Sequence, residues 1–236
     1  MTALKSLTKE FFNYSTSKSL HCRGFTLVEM MIAIIIFSTV IAIAYTITIT
    51  VSTGFELQNF LENIQTKTEI VMFKINEEIT ETNPYYVWVK NYNDPLFNGD
   101  NKTLLAFPVP RDVSGNFTMK SNYYPDYRKI VMYVPYNNNG TAELRRYEIY
   151  SFPSYYLQTG FVFSASVNET SITLTGIPPI LRSNGETVVS DLGTWTVNSS
   201  SGSPIQINLS ISARNVPGGG TYQFLLSTYM GARNNN

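Results

Sequence analysis

Cysteine and histidine are almost missing from this 236-residue sequence, which holds one of each, Cys22 and His21. Everything after residue 24 lacks both. That stretch has no disulfide, no thiol nucleophile and no imidazole, which excludes Cys/His zinc sites and Ser-His-Asp or Cys-His catalysis. Cys22 has no apolar segment upstream, so it does not read as the lipid-bearing cysteine of a lipoprotein signal. Charge is also scarce. Asp, Glu, Lys and Arg together make up 14% of the chain and balance to a net charge of +0. The balance is uneven along the chain. Lys5, Lys9, Lys18 and Arg23 stand against Glu10 in the first 24 residues, and the remainder carries a slight acidic excess. A chain of this length supports one helix and one globular domain that relies on its own core rather than on crosslinks.

What the chain has instead is one long greasy run. From Phe25 to Val51 every residue is apolar, small or hydroxylic except Glu29. A bilayer is crossed by about 20 helical residues, so this run is long enough to span one. Basic residues before the span hold that end in the cytoplasm and send the C-terminal part outward. A carboxylate well inside the membrane costs at least about 2.5 kcal/mol, so Glu29 marks a position with a task and a partner.

Arg23-Gly24 followed by Phe25-Thr26-Leu27-Val28-Glu29 and the apolar run resembles the class III signal of type IV pilins and type II secretion pseudopilins. The resemblance implies that Met1 to Gly24 is a leader, cut between Gly24 and Phe25 by a prepilin peptidase. It also implies that Phe25 becomes an N-methylated terminus and that Glu29 is the assembly carboxylate. Implied partners are other pilin or pseudopilin subunits, the inner-membrane assembly platform and, before assembly, membrane lipid. The implied location is the inner membrane, single-pass with the C-terminal domain outside the cytoplasm, and then a filament in the periplasm or on the cell surface. No cofactor and no metal is implied. Many pilins carry a proline about 22 residues into the mature chain, and Thr46 stands there in this sequence. The β-branched run through Ile47 and on to Gly54 is the place where the helix is expected to loosen.

The expected fold is α+β, a long N-terminal helix packed on an antiparallel sheet. Four segments follow: the leader 1–24, a membrane and assembly helix 25–53, an amphipathic helix 54–82 and a β-rich domain 83–236. In the second helix Leu57, Phe60, Leu61, Ile64, Val71, Ile75 and Ile79 recur at helical spacing, a stripe that packs on the domain's own sheet. Asn83-Pro84 ends it. Strands are expected at Tyr85–Val89, Leu104–Val109, Lys129–Val134, Leu144–Ser151, Ser171–Leu174, Thr194–Val197, Ile205–Ala213 and Tyr222–Met230. Asn139-Gly140 reads as a hairpin turn, as does the glycine-rich link from Val216 to Gly220. The polar stretch from Asn91 to Lys102, with Asp94, Asn98 and Asp100, reads as a solvated loop that lacks EF-hand spacing for calcium.

Val131-Met132-Tyr133, Glu143-Leu144-Arg145-Arg146-Tyr147 and a closing Ala232-Arg233-Asn234 are similar to the PilW-type minor pilins and J-type minor pseudopilins. That likeness implies a minor subunit that initiates or tips a filament serving adhesion, motility, DNA uptake or secretion. Two other functions have sequence support. Asp112, Asp126, Glu143, Glu148 and Asp191 are candidate acids for carboxylate catalysis, although no motif links them. Tyr123, Tyr124, Tyr127 and Tyr136 with Lys120, Arg128 and Lys129 form a candidate surface for a nucleic-acid- or glycan-binding module, since aromatic rings stack on bases beside phosphate-binding cations.

Overall fold

The structure, a computed structural model, describes residues 25–150, 165–199, 204–213 and 222–231. The leader, the link from Val216 to Gly220, Ser151 and the closing Ala232-Arg233-Asn234 lie outside the described residues. The chain divides into two units, Met1–Ser52 and Thr53–Asn236.

One helix, α1, runs from Leu27 to Thr80, the long N-terminal helix that the sequence leads one to expect. It is unbroken across Ile47–Gly54, despite the β-branched run there. The hydroxyls there fold back onto the helix: Thr46 Oγ1 donates to the Ala42 carbonyl (2.9 Å), Thr48 to Ala44 (2.8 Å) and Thr50 to Thr46 (2.9 Å). A hydroxyl bonded this way no longer competes for a non-helical backbone, and an apolar solvent requires every backbone group to be satisfied within the helix. In the first unit every described side chain of α1 is exposed. Its most apolar window has a mean hydropathy of 2.6.

In the second unit the helix becomes one-sided. Ile64, Thr68, Val71, Met72, Ile75 and Ile79 are buried in a single stripe. Past Thr80 the chain turns on Asn83, whose side chain accepts from the Tyr85 amide (3.0 Å) while its carbonyl accepts from Tyr86 (2.9 Å). This turn makes Pro84–Tyr86 a short 3-10 helix. The first strand therefore starts later than expected, at Trp88, because asparagine holds a turn more readily than a strand start.

The main sheet has five antiparallel strands in the order β1-β2-β3-β4-β8: β1 (Trp88–Asn93), β2 (Asn101–Val109), β3 (Lys129–Asn138), β4 (Thr141–Tyr150) and β8 (Glu186–Val189). A small sheet holds β5 (Ala165–Val167), β6 (Ser171–Leu174) and β7 (Ile177–Leu181). A third holds β11 (Tyr222–Met230), β10 (Ile205–Ala213) and β9 (Leu192–Asn198) in that order. Both faces of the main sheet are covered. Leu105, Phe107, Val109, Val131 and Tyr133 join the core made with α1 and the third sheet. Their alternates Leu104, Ala106, Ile130, Met132 and Val134 join a second core with Ile172 and Leu174 of the small sheet. A strand buried on both faces reads as a continuous apolar run, as Leu104–Val109 and Ile130–Val134 do. The β3–β4 hairpin turns at Asn139 (φ 50°) and Gly140 (φ 90°), as the Asn-Gly pair requires.

Ionic contacts reinforce the helix–sheet packing. Arg146 of β4 pairs with Glu78 of α1 and with Glu148 (2.5 Å), Lys129 of β3 pairs with Glu148 (2.7 Å), and the Tyr133 hydroxyl donates to Glu78 (2.7 Å). Burial alone would raise the Glu148 carboxyl, but hydrogen bonds from Lys129, Tyr150 and Arg146 outweigh it and hold it at about 2. A carboxyl lowered in the folded state stabilises the fold above its ordinary range near pH 4 and loses that contribution as pH falls toward its folded value. Urea unfolding of the full chain in detergent should show a stability that declines between about pH 4.5 and 2. Glu148→Gln should flatten part of that decline, and an unchanged slope in that variant would contradict this assignment.

Candidate functional site

The first described residues carry the site. Phe25 and Thr26 precede α1, and Thr26 closes its N-terminus. The Glu29 amide donates to Thr26 Oγ1 (3.2 Å), and the Thr26 amide and hydroxyl each donate to Glu29 Oε2 (2.9 Å). The Met30 amide donates to the Thr26 carbonyl (3.1 Å). This is a capping box: a threonine at the cap and a glutamate three residues on, each satisfying a backbone amide of the other. Glu29 also stands in the first turn, where the helix dipole favours an anion. Thr26 is an uncharged residue of the site, joined to Glu29 through both its amide and its hydroxyl. The spacing Thr-x-x-Glu just before an apolar run is the signal for it.

Glu29 is therefore the one charged side chain from Phe25 to Phe55. Its carboxylate faces the start of its own helix, and Phe25, 78% exposed, is the residue immediately before the cap. A carboxylate in this position can accept from two donors of its own chain and still offer lone pairs to a third. Gly24 lies outside the described residues.

Residues 20–45 match the family described as the prokaryotic N-terminal methylation motif. Over those residues the chain is similar to the N-terminus of type IV prepilins and pseudopilins. No curated protein and no solved structure matches it. The pilin-type motif implies processing by a prepilin peptidase and assembly with other pilin subunits, and it points to a structural subunit rather than an enzyme. The exposed apolar helix near the N-terminus suits a membrane-anchored pilin. The helix packed on antiparallel sheets is an α+β architecture consistent with the pilin fold.

The remaining candidate residues are dispersed or already engaged. Among the acids, Asp112 accepts from the Ser114 and Asn116 amides, Asp126 pairs with Arg128, and Glu143 pairs with Arg145 (2.9 Å). Glu148 is held as described above, and Asp191 occupies a left-handed turn position (φ 57°). In the cleft of about 460 Å³ beside Arg146, Glu148 and Glu186, those three charges pair with one another. The tyrosine and cation constellation separates too. Lys129 is buried, Tyr136 packs under the Arg145 guanidinium (4.0 Å), and Tyr127 meets Tyr86 edge to face. Tyr123 and Tyr124 stay exposed beside Lys120.

The expected solvated loop at Asn91–Lys102 is a different structure. Asp94 caps a 3-10 helix, Pro95–Phe97, and is fully buried against Arg182. Its carboxylate oxygens accept from both terminal guanidinium nitrogens, at 3.1 and 2.7 Å. The partner comes from 88 residues away, which is why the local sequence reads as a loop. Among the described residues no three of His, Cys, Asp and Glu gather as a metal site.

Proposed function

We propose that this pilin-like chain is a minor pilin or pseudopilin, a subunit that initiates or tips a type IV pilus-like filament. The observation that carries the reading is the single carboxylate of the apolar stretch Phe25–Phe55, held at the helix start beside the Gly24–Phe25 junction. Cleavage there exposes the Phe25 amine, which is then methylated. In lipid that ammonium and an unpaired carboxylate are both penalised, and bringing Glu29 of one subunit to the Phe25 amine of its neighbour neutralises both. Apolar contact alone fixes register poorly, because lipid is as apolar as the adjoining helix. Before assembly, Thr26 supplies the donors that keep the carboxylate satisfied. Support for the minor role comes from the elaborated domain, in which eleven described strands form three sheets.

The test is deletion of the chain in cells that make the filament. Filaments per cell should fall sharply while the major subunit accumulates, processed, in the membrane. Unchanged filament number would contradict an initiating role. Recovery of this chain at parity with the major subunit would contradict a minor one.

A further inference from the structure

The third sheet contains no Asp, Glu, Lys or Arg in any of its strands, β9, β10 or β11. Strand β11 forms its edge. All nine residues from Tyr222 to Met230 pair with β10 in unbroken register, and among the described residues nothing pairs with the opposite side. Proteins blunt such edges with charges, prolines, bulges or short strands, because a row of free N–H and C=O groups is a template for another strand. The other edges here are blunted in these ways. β1 carries Lys90, β5 has three residues, β7 holds Pro178 and Pro179, and β8 has four residues and Glu186. β9 is tied to the main sheet by the Trp195 indole, which donates to the Thr103 carbonyl of β2 (2.8 Å). β11 has none of these protections.

We infer that the free edge of β11 accepts an extended, uncharged strand from a neighbouring filament subunit, which adds a fourth strand to this sheet. The inference rests on the filament reading above and names a surface that serves it. The occupant follows from chemistry. Only another extended backbone satisfies a row of alternating donors and acceptors at strand spacing. The side chains flanking the edge carry no charge: Leu225 and Tyr229 are exposed on the outer face, at 62% and 70%, alternating with Gln223 and Ser227, and Phe224 and Leu226 pack against the core on the inner one. A matching strand is therefore rich in β-branched or aromatic residues and free of charge. Nucleic acid or a charged helix would find no opposite charge on the strands of this sheet.

The test uses the full-length chain in cells that assemble filaments, with the sheared filament fraction as readout. Leu225→Lys with Tyr229→Lys places two charges beside the edge at exposed positions. Thr173→Lys, an exposed position on β6, is the control. All variants should be processed normally and unfold at the wild-type urea midpoint. The double variant should enter filaments about tenfold less than wild type, and the control should enter equally. A benzoylphenylalanine placed at Tyr229 of the otherwise native chain should crosslink to another pilin subunit, a readout independent of how the lysines affect folding. Entry of the double variant at wild-type level, or crosslinks confined to the chain's own residues, would overturn the edge pairing alone. Absence of the wild-type chain from filaments would instead remove the subunit reading on which it rests.

Discussion

Glu29→Ala should leave the chain cut and methylated yet largely absent from filaments. Removing one member of a buried ion pair typically costs about 3–5 kcal/mol, because the other charge is left unpaired in a low-dielectric core. Tenfold corresponds to about 1.4 kcal/mol, so incorporation should fall well beyond tenfold. Glu29 plays two parts, however, and one variant cannot separate them. It accepts from the Thr26 amide and hydroxyl within its own chain, and in the proposed assembly it offers charge to the neighbour's Phe25 amine. Glu29→Gln separates them, since glutamine keeps an acceptor for Thr26 and loses the charge. The pairing account predicts that Gln fails as Ala does. Full incorporation of Glu29→Gln would make the cap, rather than the ion pair, the essential feature.

The second large effect belongs to the globular unit. Arg182 and Asp94 are both fully buried and meet through two guanidinium–carboxylate hydrogen bonds. The same guanidinium donates to the carbonyls of Asn168 (3.0 Å) and Pro135 (2.6 Å), so it joins the small sheet to β3 and to the turn after β1. Arg182→Met abandons the Asp94 carboxylate in the interior and should cost about 3–5 kcal/mol. For a domain of this size that lowers the unfolding midpoint by about 10 °C. Adding Asp94→Leu should recover most of the loss, because replacing both charges by apolar groups leaves neither unpaired. Thermal unfolding of the full chain in detergent reads both variants. Recovery absent in the double variant would mean that the bonds to Asn168 and Pro135 dominate.

The sequence exposes some of this architecture plainly and hides other parts for physical reasons. Ser171–Leu174, Ile205–Ala213 and Tyr222–Met230 appear as strands at their observed limits, since each is a β-rich run with turn residues nearby. Three strands stay hidden. Ala165–Val167 is three residues long, Ile177–Leu181 contains two prolines that only an edge strand tolerates, and Glu186–Val189 is a short edge. The stripe from Ile64 to Ile79 is legible because it obeys one helical period. The Asp94–Arg182 pair is illegible because nothing local distinguishes a buried carboxylate from a solvated one. At the site, Glu29 is conspicuous as a lone charge in an apolar run, whereas Thr26 becomes significant only when its three-residue spacing to Glu29 is noticed.

The account turns on an amine created at Phe25. Intact-mass analysis of the chain purified from cells with an active prepilin peptidase measures this directly. The predicted polypeptide lacks Met1 to Gly24 and begins with a phenylalanine one methyl group heavier than normal. A polypeptide that still begins at Met1 in those cells has no such amine for Glu29 to meet, and would contradict the assembly mechanism outright.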